Sequence, residues 1–239
     1  MTRSDGRTAD QLRPISFETN YIKWAEGSVL TKFGNTHVLC NATVEETVPR
    51  WLHKSENSHG WVTAEYALLP RSTQRRVQRE SRWPKGRTQE ISRLIGRSLR
   101  MSVNLRRLGV RQIIVDCDVL QADGGTRTAA ITGGWVAVQL ALRHLIAESK
   151  ISAKAFRHQV AAISVGIVDG VPLLDLAYDE DVRADSDVNI VMIGEGQLIE
   201  VQGTAESALF GRSEFNQMLD LAHAGIEQLL VAQLEALDS

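Results

Sequence analysis

Cysteine is scarce in this chain: there are two among 239 residues, each inside an apolar, strand-like run. Cys40 and Cys117 therefore read as buried free thiols, and a disulfide framework or thiolate metal site finds little support. Apolar runs are short, none approaching the ~18 residues of a membrane span. The start, Met1–Arg7, is polar and has no signal-peptide core. These features predict a cytoplasmic protein with no membrane partner. Linkers rich in Pro, Gly or Ser are missing too, so residues 1–239 are expected to form a single domain. The six histidines, His37, His53, His59 and His223 among them, lack metal-ligand spacing. Each reads as a surface or satisfied core residue, and no Ser/His/Asp set stands out. Tryptophans are scattered. Trp83 lies among arginines, placed to stack on a base, while packing is expected of Trp24, Trp51, Trp61 and Trp135.

What is present is ordinary in bulk and uneven in arrangement. Hydrophobic residues at 43 % and charged residues at 23 % are globular proportions. The net charge of −2 conceals two opposed blocks. Arg71–Arg111 holds twelve arginines and one lysine against Glu80 and Glu90, a net of +11. Asp169–Ser239 holds fifteen acids against Arg183 and Arg212, a net of −13. A block so weighted to arginine suggests a polyanionic partner. The acidic block suggests a metal site, or a mate for the basic block in an assembly.

Alternating and β-branched patterns predict strands at Ile15–Ile22, Ser28–Phe33, Thr36–Val44 and Trp61–Leu69. Gly34-Asn35 is a two-residue hairpin turn. Arg71–Lys85 has little apolar content and reads as an exposed loop. Thr88–Leu108 reads as a helix, with Ile91, Leu94, Ile95 and Leu99 on one stripe and Arg93, Arg97 and Arg100 on another face. Gln112–Leu120 is a buried strand, followed by a long helix over Thr128–Glu148. Strands near Ala161–Val168, Pro172–Leu176, Asp187–Ile193 and Leu198–Gly203 precede a helix from Ser213 to Ala236. Strands with crossing helices, twice over, give an α/β (α+β) fold with mixed sheets.

Two constellations carry chemistry. Gly124-Gly125-Thr126-Arg127-Thr128 turns tightly into a helix. The first helical turn leaves about four N–H groups unpaired, and its dipole favours anions. An arginine and two threonines add donors suited to phosphate oxygens. The stretch reads as an anion cradle or as a plain glycine turn before a core helix. It is not a Walker A loop, because no Gly-Lys-Ser/Thr follows. The second constellation is Asp179–Asn189, with four aspartates and a glutamate. Carboxylate pairs hold Mg²⁺ when phosphate and water complete its octahedron. Asp185 and Asp187 are expected on one side of a strand, with Asp181 in the preceding turn. A solvated acidic turn is the alternative.

Gly86–Arg100, Asp116–Gly133 and Asp179–Met192 resemble the signature blocks of the ribonuclease PH family. So do Ser4–Arg7, Leu12–Pro14 and Gln202–Glu206, so the resemblance covers nearly the whole chain. It implies a phosphorolytic 3′→5′ exoribonuclease that trims tRNA precursors and other structured RNAs. Inorganic phosphate is the co-substrate, nucleoside diphosphates leave, and the reverse reaction adds nucleotides. It implies a two-lobed α/β sandwich and a homohexamer, built as a trimer of dimers. Residue by residue, it implies phosphate contacts at Arg87, Gly125, Thr126 and Arg127. Asp181 and Asp187 would hold Mg²⁺ and, with Arg127, form the catalytic set. Arg71, Arg75, Arg76, Arg79 and Arg82 would contact RNA. Asn189 departs from a lysine of the polynucleotide phosphorylase relatives. Two rival readings are a hydrolytic two-metal ribonuclease and a non-catalytic RNA-binding ring subunit. The first has no need of a separate anion cradle, and the second should have lost Asp181, Asp187 or Arg127.

Overall fold

The computed structural model describes residues 3–53, 59–80 and 86–238. Strands β1 (Ile15–Thr19), β2 (Gly27–Phe33) and β3 (Thr36–Glu45) form an antiparallel meander. Phe33 pairs with Thr36, so Gly34-Asn35 makes the expected two-residue turn, with Gly34 at φ +54°. β1 ends before the expected Ile22 because Asn20 turns to φ +56°. A short helix α1 (Arg50–His53) precedes β4 (Trp61–Leu68). The chain then crosses over through α2 (Gly86–Arg100) and α3 (Leu105–Leu108) to β5 (Gln112–Gln121), which runs parallel to β4 and antiparallel to β3. The sheet order is β1-β2-β3-β5-β4.

The periodicity over Thr88–Leu108 predicts one helix; the chain makes two. Val103 leaves the helix to bridge Phe156, and Asn104 caps α3 by accepting the Arg107 N–H at 3.3 Å. β5 also differs from a fully buried strand. Ile113, Val115, Cys117 and Val119 face the core, while Asp116 and Asp118 lie half-buried on the other face.

Helix α4 (Thr126–Ala147) packs against β2, β3 and β5 on one side and β6 (Val160–Val168) on another. A Cβ at Gly133 would meet Thr31 Oγ1 at 1.9 Å, so only glycine permits this approach. With 22 residues, α4 is long and apolar enough to cross a membrane, contrary to the expectation that no run qualifies. Its composition follows from its place, since 78 % of the apolar stretch is buried inside the fold.

A single 3-10 turn (Ala153–Ala155) leads into the second sheet. β6 is followed by β7 (Val171–Leu174), α5 (Tyr178–Asp181), β8 (Ser186–Ile193) and β9 (Leu198–Ala205). The order is β7-β6-β8-β9, all antiparallel. Every residue of β6 is buried because α4 and α6 (Arg212–Asp238) both pack on it. One contiguous core cluster runs from Val29 and Phe33 of the first sheet to Ile190 of the second and Leu229 of α6. Trp135 is buried and donates to the His158 carbonyl at 3.0 Å, and Trp61 packs edge-on to Trp51 at 5.0 Å. Trp24 and Trp51 contradict the packing expectation: they are 83 % and 61 % exposed.

Three arginines of the N-terminal segment are buried, and each meets a carboxylate. Arg3 grips Glu180 of α5 through two bonds of 2.7 and 2.6 Å. Arg13 donates to Asp175 from its backbone N–H, Nε and Nη2 at 2.9, 3.0 and 2.7 Å. Arg7 bridges the pairs, 3.5 Å from Asp175 and 3.6 Å from Glu180. Removing one member of a buried ion pair leaves an uncompensated charge and costs ~3–5 kcal/mol. Asp175→Ala should therefore lower the unfolding free energy by about that amount in urea melts, while Asp179→Ala, on the exposed face of α5, should change it by under ~0.5 kcal/mol.

Candidate active site

The predicted residues converge at one end of α4. Gly124 and Gly125 both take positive φ, +78° and +64°. A Cβ on Gly124 would strike the Leu176 carbonyl oxygen at 2.4 Å, so glycine is required where this turn passes the lead-in to α5. The first backbone bond of α4 runs from the Ala129 N–H to the Gly125 carbonyl at 3.0 Å. The N–H groups of Gly125, Thr126, Arg127 and Thr128 have no hydrogen-bond partner among the described residues. They form the free N-terminal turn that an anion needs. The cradle reading, rather than a plain core turn, fits this geometry.

The glycine turn is held from below. Arg13 Nη1 donates to the Asp123 carbonyl at 2.5 Å. Thr36 Oγ1 donates to the Gly124 carbonyl at 2.6 Å and accepts the Asp123 N–H at 2.9 Å. Thr126 Oγ1 lies 2.8 Å from the Tyr66 hydroxyl, and burial raises the pKa of that phenol. Sequence reasoning missed Arg13, Thr36 and Tyr66 as supports. A usable signal existed for Arg13, which sits between Leu12 and Pro14 just before an apolar strand.

A cleft of about 570 Å³ opens above the cradle. Arg87, Gly125, Thr126, Arg127, Asp181 and Asp187 all line it, and Arg75 reaches it from the arginine loop. Arg71, Arg76 and Arg79 are exposed on that loop and do not line the cleft; Arg82 and Trp83 lie outside the described residues. Arg87 comes from the first turn of α2 and has no carboxylate partner among the described residues. Arg127 contacts the Gln202 side-chain oxygen, with Glu90 at 3.5 Å.

The acidic constellation divides into separate roles. Glu180 is buried against Arg3, and its Oε2 accepts the Ala177 N–H at 2.9 Å. Burial raises its pKa, but the Arg3 bonds win and hold it below the usual range. Asp185 does not share Asp187's side of the strand as expected. It lies before β8 and accepts from Ser207 Oγ at 2.8 Å. Asp181 closes α5, and Asp187 enters the cleft from β8. Asn189 donates to Asp187 Oδ2 at 3.3 Å. Asp187 Oδ1 is buried with no partner among the described residues. An orphaned buried carboxylate oxygen beside a second carboxylate fits a hard divalent cation. Among the described residues no third acid, histidine or cysteine joins them, so substrate and water would supply the remaining oxygens.

Burial, and after it the charge of Asp181, push Asp187 up to about 6 against the pull of Arg127 and Asn189. Burial raises Asp181 as well, opposed by Arg87 and Arg127.

Residues 11–144 match the family model described as 3′ exoribonuclease family, domain 1, and residues 158–225 match domain 2. The chain is 55 % identical over 239 residues to "Ribonuclease PH" of Synechococcus sp. strain JA-2-3B'a(2-13), covering 99 % of this chain and 97 % of that protein. It is 56 % identical over 239 residues to the protein of that name in Synechococcus sp. strain JA-3-3Ab, covering 99 % and 98 %. Rice Rrp46 superposes with a TM-score of 0.79 at 18 % identity, covering 98 % of this chain and all of that one. A chain of the Archaeoglobus fulgidus exosome with RNA bound to the active site superposes at 0.78 and 22 % identity, covering 97 % and 92 %. These last two establish the shared two-lobed fold. The chain belongs to the ribonuclease PH family of 3′ exoribonucleases. It is a phosphate-dependent member of that group.

The raised pKa of Asp187 has a consequence for stability. A carboxyl raised from 3.8 to about 6 favours the folded state fully below pH 3.8, and that contribution is lost as pH rises through about 6. At ~1.4 kcal/mol per unit, the ionised carboxylate costs about 3 kcal/mol at neutral pH. In metal-free protein, Asp187→Asn should therefore raise the unfolding free energy at pH 7 by up to ~3 kcal/mol and give no gain below the unfolded pKa. Chemical denaturation across that pH window measures it. A variant that is destabilised at pH 7 would contradict the electrostatic account.

Proposed function

We propose that this enzyme trims the 3′ end of tRNA precursors and other structured RNAs, and that the cleft residues divide the work of phosphorolysis between them. The supporting observation is the meeting, in one cleft, of a free helix N-terminus flanked by Arg87 and Arg127 with a pair of desolvated carboxylates. Phosphoryl transfer needs mainly positioning and charge neutralisation. Arg87, Arg127 and the N–H groups of Gly125, Thr126 and Arg127 hold the attacking phosphate. Asp181 and Asp187 hold Mg²⁺, which when bound neutralises charge on the scissile phosphate. A phosphate oxygen attacks the phosphorus of the terminal linkage. The bond from that phosphorus to the upstream 3′ oxygen breaks. The terminal nucleotide leaves as a nucleoside diphosphate, and the shortened RNA regains its 3′ hydroxyl. The same path in reverse adds a nucleotide. Hydrolysis would leave the cradle without a use.

Arg71, Arg75, Arg76, Arg79 and Arg82 steer the RNA backbone toward the cleft. Arg75 bridges the exposed loop and the cleft wall, which supports this assignment. The assembly we propose is a homohexamer, a trimer of dimers. Trp24 and Leu209, 83 % and 94 % exposed, are apolar groups that such contacts would cover. The two buried, unpaired thiols suit the reducing cytoplasm.

Arg127→Ala should raise the phosphate concentration needed for half-maximal rate. Each charge-assisted bond removed costs ~1.5–3 kcal/mol, so catalytic efficiency should fall about ten- to hundredfold. Steady-state kinetics at varied phosphate test this, and unchanged phosphate saturation would remove Arg127 from the cradle. Replacing Arg75, Arg76 and Arg79 together with alanine should weaken tRNA binding and lower the salt slope by up to about 0.9 for each RNA phosphate no longer neutralised. Light scattering on the wild-type protein should give a hexamer mass; a fully active monomer would overturn the assembly.

A further inference from the structure

Arg93, Arg97 and Arg100 of α2 lie outside the catalytic cleft. α2 and β4 lie side by side, and a second groove of about 290 Å³ opens in the seam between them. Tyr66 and Leu68 of β4 line the cleft, whereas Trp61 and Thr63 line the groove. On α2 the same order appears: Arg87 lines the cleft, and Arg93, Arg97 and Arg100 line the groove. The seam is fixed midway, where the Tyr66 N–H donates to Ser92 Oγ at 3.0 Å. At 1.5 Å per residue, the three arginines stand roughly 9 to 20 Å along the helix from Arg87.

Charge in this groove is poorly compensated. Glu200 binds Arg97 through contacts of 2.7 and 3.1 Å. Arg93 and Arg100 have no carboxylate partner among the described residues. Arg100 is spread on the Trp61 ring, 4.4 Å from its centroid, and donates to the Val62 carbonyl at 2.9 Å. Burial, and next the charge of Arg97, lower the pKa of its guanidinium. An anion seated between these groups would relieve the crowding.

We propose that the α2–β4 groove is a second RNA-backbone site, in which Arg93, Arg97 and Arg100 take phosphates upstream of the terminal linkage. This rests on the exoribonuclease reading of the cleft. A stacked strand rises about 3.4 Å per nucleotide, so the site meets phosphates about three to six nucleotides from the cleft. Longer 3′ tails thus gain affinity that short ones cannot. Arg97 must leave Glu200 to take part, which makes Glu200 a built-in competitor for the RNA.

The test measures binding without phosphate, using fluorescent single-stranded RNAs of about four and about twelve nucleotides that share one 3′ sequence. The Arg93→Gln/Arg97→Gln double variant should bind the long RNA about five- to tenfold more weakly and lose ~1.4 from its salt slope, at ~0.7 per single-strand contact. Its affinity for the short RNA should not change. Glu200→Gln should tighten the long RNA alone, a gain that a merely structural role would not produce. Equal weakening at both lengths, or none, would overturn the proposal. So would a changed assembly mass with an unchanged length effect, which would make the groove a subunit contact. Phosphate-dependent release of nucleoside diphosphates by the wild type checks the underlying reading separately.

Discussion

The pairing of Arg13 with Asp175 is the constraint on which the rest of the site depends. Asp175 is fully buried and takes three N–H donors from one arginine. The same guanidinium reaches the Asp123 carbonyl, at the edge of the glycine turn. Asp175 belongs to the second family domain, residues 158–225, and Asp123 to the first, residues 11–144. One ion pair therefore ties the lobe that supplies the cradle to the lobe that supplies the carboxylates. Arg3 repeats the arrangement by clamping Glu180, one residue before Asp181. Buried ion pairs contribute little net stability over an apolar core, but breaking one is costly. Their use here is to fix geometry, because cradle and carboxylates come from separate sheets.

The opposed charge blocks are explained partly within the chain. Arg97 of the basic block meets Glu200 of the acidic block. Members of both blocks, Arg75 and Arg87 of the basic one and Asp181 and Asp187 of the acidic one, also meet at the cleft. There, two desolvated carboxylates face Arg87 and Arg127 across an open volume. Electrostatic cost held in a preorganised site is what a cation and a phosphate would release on binding. The groove on α2 extends the same positive charge away from the cleft.

Most of the strands and long helices were legible because their periods are regular. The alternation in β3 and the stripe of α2 fall within a few residues of the observed elements. Failures occur where a tertiary contact overrides local pattern. Val103 and Asn104 break a helix whose apolar spacing continues, through a bridge to Phe156 that no local window contains. Gly124-Gly125 and the aspartates were visible as motifs, and the fold brings Arg87, Arg127, Asp181 and Asp187 together. Their supports were not visible. Arg13 and Asp175 are 162 residues apart, and nothing in either neighbourhood specifies the other. Glu180 and Asp181 are sequence neighbours with opposite fates, since the ~100° step between adjacent helical residues sends one to Arg3 and the other to the cleft.

The central claim is that phosphate held in the cradle becomes part of the product. Labelled orthophosphate supplied with unlabelled tRNA precursor tests it most directly. The account predicts that the label appears in the terminal phosphate of the released nucleoside diphosphate, one label per nucleotide removed. Unlabelled nucleoside monophosphates, released at the same rate with or without phosphate, would contradict it.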